Sequence, residues 1–139
     1  MSDLEVLIEN GVATLVMNRP EARNALSMDM RKQLAEKLHE IELDSQIRCV
    51  VFKGAGDHFM AGGDVKGMGE SIKKSPQEIR KEFMLRIHDL HPIMFAMRRM
   101  PKPIIASCRG AAAGAGVSIA LACDLVIASD DAFFTLAYC

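Results

Sequence analysis

The sequence predicts an α/β fold, and three observations carry that prediction. Apolar runs of strand length alternate with longer stretches whose apolar residues recur at helical spacing, the order of layered α/β units. Asn10-Gly11 separates two of the strand-like runs; a type I′ turn needs φ > 0 at both centres, so this dipeptide signals a hairpin. Two glycine-rich loops, Phe59-Met60-Ala61-Gly62-Gly63-Asp64-Val65 and Arg109-Gly110-Ala111-Ala112-Ala113-Gly114-Ala115-Gly116, each follow a β-like run and lead into a helix-like one.

Residues 4–8 and 12–17 read as the strands of the hairpin, and residues 18–24 as a polar loop. Ser27 can cap a helix running to about Asp44, with Met30, Leu34, Leu38 and Ile41 on one face. Cys49-Val50-Val51-Phe52 is a continuous apolar run, consistent with a buried strand. After the first glycine loop, Asp64 to about Met68 predicts a single helical turn, and 70–76 a polar loop ending in the helix start Ser75-Pro76. Residues 77–99 predict a long helix carrying Ile79, Phe83, Ile87, Leu90, Met94 and Met97 on one side, kinked or interrupted by Pro92. Pro101 and Pro103 end it. Residues 104–107 predict a strand, Gly114 to Cys123 a small-residue helix, and 125–128 another strand. A further strand begins at Ala132. The sequence closes on the apolar Tyr138-Cys139 without a polar tail, which reads as part of a longer chain.

The 139 residues suffice for one modest domain with a core. Half are apolar, and the net charge of −1 offers no general attraction for nucleic acid or an anionic membrane. Cys49, Cys108, Cys123 and Cys139 form no CxxC pair and lie near no histidine cluster at zinc spacing, so no metal site is expected. They read as buried, reduced thiols. The N-terminal Met-Ser-Asp-Leu-Glu is acidic and lacks an apolar signal region. No stretch approaches the ~20 apolar residues of a membrane span. A cytoplasmic protein is the expectation.

The glycine loops point to chemistry. Small residues let a ligand approach the backbone, and free N–H groups at a helix start hold developing negative charge. Two such loops can supply two converging donors, which is what an oxyanion hole needs. The competing reading is nucleotide binding. The spacing Gly110-x-x-x-Gly114-x-Gly116 matches neither GxGxxG nor the P-loop, which argues against it.

Several further motifs stand in a definite order. They are Asn18-Arg19-Pro20 with Asn24-Ala25-Leu26, the first glycine loop, Pro101 to Ala106, Gly110 with Gly114-Ala115-Gly116, and Cys123-Asp124-Leu125-Val126-Ile127-Ala128. As an ordered set they resemble the N-terminal half of the enoyl-CoA hydratase/isomerase (crotonase) superfamily. The resemblance implies a crotonase-like spiral of ββα units, incomplete in this chain. Residues 1–139 would be the N-terminal part of a single crotonase-like domain whose C-terminal part is absent. It implies an acyl-CoA substrate, no cofactor beyond the coenzyme A of that substrate, and a homotrimer or hexamer at full length. By position it assigns the oxyanion donors to the Ala61 and Ala115 N–H groups. Ala61, Gly62, Gly63 and Asp64 would contact the coenzyme A portion, and Gly114 would line the substrate site.

The departures from the family are as informative. Hydratases of the family carry two glutamates that activate water, and the matching positions here are Ser118 and Tyr138. A serine hydroxyl is no effective base at neutral pH without a partner. The pattern resembles relatives that use a later Asp or Glu, beyond Cys139. The expected function is therefore an acyl-CoA isomerase that stabilises a thioester enolate. Alternatives are a hydratase with an unusual base and a non-catalytic acyl-CoA-binding protein. Ser118 and Tyr138 remain candidates for substrate contact. Among other titratable residues, Asp124 is read as making a structural hydrogen bond and His58 as solvent-facing. Lys73-Lys74, Lys81 and Arg98-Arg99 are read as solvated faces.

Overall fold

The structure is a computed structural model that describes residues 2–64 and 74–137. It begins with the predicted hairpin. Strands β1 (Leu4–Glu9) and β2 (Val12–Met17) pair antiparallel, Leu4 opposite Met17 and Glu9 opposite Val12. Asn10 and Gly11 both take positive φ, 52° and 80°, as a type I′ turn requires.

Helix α1 (Met28–Leu43) follows a short 3₁₀ turn over Pro20–Ala22. The Ser27 hydroxyl accepts the Met30 N–H at 3.0 Å and so caps the helix as expected. Met30, Leu34, Leu38 and Ile41 are all buried, each burial stabilising the fold by roughly 1.5–3 kcal/mol. At the other end, Lys102 Nζ donates to the carbonyls of Ile41 and Asp44, satisfying acceptors the last turn leaves open.

Strand β3 (Cys49–Gly54) lies parallel to β2, and β4 (Ile104–Cys108) parallel to β3. β6 (Leu125–Ala128) adds parallel to β4, giving one five-stranded sheet of order β1-β2-β3-β4-β6. Parallel neighbours need crossovers, and the helices supply them. Ala13, Leu15, Met17, Val50, Phe52, Ile104 and Ala106 are buried in one core with α1.

The expected long helix over 77–99 is two helices, α2 (Pro76–His88) and α3 (His91–Arg99). In a continuous helix the Pro92 ring would clash with the His88 carbonyl. Placed in the first turn of α3 it costs nothing, because those N–H groups lack intrahelical acceptors anyway. Ser75 and Glu78 form a reciprocal capping box at the start of α2. Ile93, Ala96 and Met97 of α3 are buried, and α3 packs on α1. Phe83 and Ile87 of α2 are instead exposed, so the apolar side of this helix is not packed into the core.

The stretch read as one loop from 109 to 116 contains a strand. β5 (Ala111–Ala113) pairs parallel with β7 (Phe133–Thr135), and α4 (Ala115–Ala122) follows at once. Three alanines carry no periodic signal; the strand exists because Phe133–Thr135 and Met60 pair with it. Of the helical turn expected at 64–68 only Asp64 is among the described residues, and of the loop at 70–76 only 74–76, where Ser75-Pro76 starts α2 as expected. Leu125, Ile127, Phe133 and Phe134 on β6 and β7 are exposed. Among the described residues, no helix is long and apolar enough to cross a membrane.

Cys108 and Cys123 are buried and Cys49 half-buried, all as free thiols. Burial pushes the Cys108 thiol up to about 11. It pushes Cys123 up to about 12, with the Cys108 and Asp124 charges adding. Cys139 lies outside the described residues.

Candidate functional site

The two glycine loops meet. Phe59 to Ala113 is tied together by a short ladder in which the Phe59 N–H donates to Arg109 O, the Met60 N–H to Ala111 O and the Ala113 N–H to Met60 O, at 2.8–3.0 Å. On its other side the first loop is held by the 18–26 segment, with the Leu26 N–H donating to Gly62 O at 2.8 Å. The loop therefore runs as an extended segment between two supports.

Asn24, at the centre of that support, is fully buried. Its Nδ2 donates to the carbonyls of Ala55 (2.9 Å) and His58 (2.7 Å), and its Oδ1 accepts the Arg19 N–H at 2.9 Å. Sequence reasoning placed Asn24 in a motif but gave it no role. His58 is half-buried rather than solvent-facing: its Nδ1 accepts the Ala111 N–H at 3.2 Å, which ties the loops again. Asp124 is structural as expected, its carboxylate accepting the Ile104 N–H at 2.8 Å.

The disposition of the backbone donors differs from the expectation at one position. The Ala61 N–H donates to the Arg23 carbonyl at 2.9 Å, so it is engaged inside the protein and not presented to a ligand. Two residues on, Gly63 is the middle residue of a parallel bridge with Leu26, flanked by bonds to Gly62 O and from the Asp64 N–H. The N–H of such a residue points away from its bridge partner, and that of Gly63 meets no acceptor among the described residues. Ala115 is the first residue of α4, so its N–H has no intrahelical acceptor. The preceding Gly114 has φ 48° and ψ −115°, a conformation that turns the chain sharply from β5 into α4 and that a side chain would oppose. Its own N–H is held by Thr135 O at 2.9 Å.

Gly62, Gly63, Gly114 and Ala115 line one cavity of about 530 Å³, together with Ala61, and with Phe83, Ile87 and Leu90 from the α2 side. The exposed apolar side of α2 is thus a wall of this cavity. A second cavity of about 360 Å³ lies across the loop, lined by Glu21, Ala22, Arg23, Ala25, Ala61, Gly63 and Asp64. Ala61 and Gly63 belong to both, so the loop is the rim between them. Of the two, Asp64 lines the second, and its carboxylate pairs with Arg19 at 2.9 Å.

The Ser118 hydroxyl reaches back to the Gly114 carbonyl at 3.5 Å, one turn below, and Ser118 is not among the residues lining either cavity. Tyr138 lies outside the described residues. Two arginines that the sequence did not single out also line the larger cavity, Arg31 of α1 and Arg86 of α2. Arg31 is 8 % exposed. Burial, with the Arg86 charge adding, lowers its pKa from the ordinary value, and Asp89 opposes the shift. A signal for it existed: Arg31 stands three and seven residues before the buried Leu34 and Leu38, on the flank of the apolar stripe.

The family model described as enoyl-CoA hydratase/isomerase matches residues 7–139. The chain belongs to the enoyl-CoA hydratase/isomerase family. It is 37% identical over 132 residues to a 1,2-epoxyphenylacetyl-CoA isomerase of Escherichia coli, which covers 94% of this chain and 49% of that protein. It is 34% identical over 140 residues to a 4-chlorobenzoyl coenzyme A dehalogenase of an Arthrobacter species, covering 99% and 49%. The crystal structure of an enoyl-CoA hydratase from Polaromonas superposes with a TM-score of 0.87 at 37% identity, covering 97% of this chain and 51% of that one. The chain spans about half the length of these curated relatives, and its fold is correspondingly an incomplete crotonase fold.

Proposed function

We propose that this chain forms the thioester-binding half of an acyl-CoA isomerase. The thioester oxygen sits between the Gly63 and Ala115 N–H groups. The observation that carries this reading is that these two donors, both without an acceptor among the described residues, belong to residues that line one cavity. The acyl group extends along Phe83, Ile87 and Leu90, and the coenzyme A portion lies across the rim beside Arg23 and Asp64.

The chemistry is proton transfer at the carbon next to the thioester. A base removes the α-proton, and the bonding electrons move onto the thioester oxygen. The two fixed N–H dipoles and the positive end of α4 stabilise that charge. The base is a carboxylate outside these 139 residues. Two things support isomerisation over hydration. Ser118, where hydratases of the family carry a glutamate, offers only a hydroxyl bonded to Gly114 O. One of the similar proteins, moreover, bears the name of an isomerase.

The test uses the protein at full natural length. Deuterium uptake from D₂O into the α-carbon of a saturated acyl-CoA reports enolate formation directly. Uptake without hydration of crotonyl-CoA is the expected result. Rapid water addition to crotonyl-CoA would overturn the isomerase reading, and absence of exchange would favour a protein that only binds acyl-CoA.

A further inference from the structure

The larger cavity contains a charge that the enolate chemistry does not use. Arg31 is more than nine-tenths buried and lines the cavity beside Gly62, Gly63 and Ala115. Among the described residues its guanidinium makes a single hydrogen bond, from Nη1 to the carbonyl of Arg86. Its buried Nε meets no acceptor. Among the described residues no carboxylate lies within ion-pair distance of it. The charged groups near it among the described residues are Arg86, bonded to Glu82 at 3.0 Å, and Asp89 at longer range, and Arg31 also borders a neighbouring cavity lined by Asp29, Lys32 and Asp89.

A buried cation with one neutral acceptor is an expensive arrangement, since desolvation is repaid only by a partner of good geometry. A methionine or leucine in the same place would fill the volume without that cost. The planar guanidinium fork matches a carboxylate through two parallel N–H···O bonds, which distinguishes it from a lysine point charge. The cavity wall around it is apolar on the Phe83, Ile87 and Leu90 side, so the guanidinium is the polar feature that a ligand lying along that wall would meet.

On the reading that this cavity holds the acyl group, we propose that Arg31 selects acyl-CoA substrates whose acyl chain carries a carboxylate away from the thioester. The thioester end is held by Gly63 and Ala115, and the far end by the Arg31 fork.

The experiment measures dissociation constants by calorimetry for the full-length protein against matched pairs: glutaryl-CoA with valeryl-CoA, and adipoyl-CoA with hexanoyl-CoA. At least one carboxylated chain is expected to bind ten or more times tighter than its uncharged match. In Arg31→Met that preference falls to within twofold of unity. Arg31→Gln keeps a donor for the Arg86 carbonyl without the charge; it should lose the preference equally and guards against a misfolded Met variant. Equal or tighter binding of the uncharged chains by the wild type overturns the proposal. So does a preference that survives in both variants. If none of the four thioesters binds, the thioester reading itself fails and this inference falls with it, a result distinct from binding without preference.

Discussion

Gly116 lies directly against Met60: a Cβ placed on Gly116 would come 2.3 Å from the Met60 carbonyl oxygen. That oxygen already accepts the Ala113 N–H. The start of α4 is thereby pressed onto the first loop, and on the proposed function this contact sets the spacing between the Gly63 and Ala115 N–H groups. Gly116→Ala forces the helix away from backbone that cannot yield as a flexible side chain would. The expected cost is about 1–3 kcal/mol of stability, read by urea denaturation. Turnover should fall more than stability predicts, because displaced donors no longer converge. A variant with unchanged stability and turnover would show that the contact does not set the donor geometry.

Asn24→Ala removes three hydrogen bonds from a fully buried side chain. Two carbonyls and one N–H are left without partners inside the protein. The position also has φ 56°, which alanine tolerates less well than asparagine. A loss of about 2–4 kcal/mol is expected in chemical denaturation, among the larger single-residue effects. A loss below about 0.5 kcal/mol would mean that water replaces the asparagine and that the loop needs no such anchor.

Ala115→Pro is the sharpest test of the proposed oxyanion contact. Proline is tolerated at the first position of a helix, where its missing N–H breaks no intrahelical bond. The substitution therefore deletes the donor with little change to α4. Loss of one such donor lowers kcat by about 10²–10³, equivalent to ~3–4 kcal/mol of transition-state stabilisation. The full-length variant should keep its melting temperature while losing turnover to that extent. Near-normal turnover removes Ala115 from the mechanism.

The hairpin and α1 were legible because their signals are local: Asn10-Gly11 dictates its own turn, and Ser27 caps the helix whose apolar face it precedes. The first glycine loop was legible as a place but not in its polarity. Whether Ala61 or Gly63 presents its N–H is decided by Arg23 and Leu26, some forty residues earlier, and nothing within Phe59 to Val65 encodes that choice. β5 was hidden for the same reason, since Ala111–Ala113 becomes a strand only through Met60 and Phe133–Thr135. Arg31 could be placed on the flank of the α1 stripe, but that its Nε meets no acceptor among the described residues is a property of the elements packed around it.

Cys123 makes stability depend on alkaline pH. Its thiol is held up to about 12 in the folded protein by burial, against an ordinary value of 9.0. Between these values the unfolded chain has released the proton and the folded chain still holds it. Fewer protons are bound in the unfolded state, so stability falls as pH rises through this window, by at most about 1.4 kcal/mol per pH unit for one group. The contribution is fully present below pH ~9. Cys123→Ala removes the group, so its stability should decline less steeply than wild type between pH 8.5 and ~10.5 in urea titrations, whatever its starting stability. Parallel slopes for the two proteins would mean that the thiolate is accommodated in the folded core.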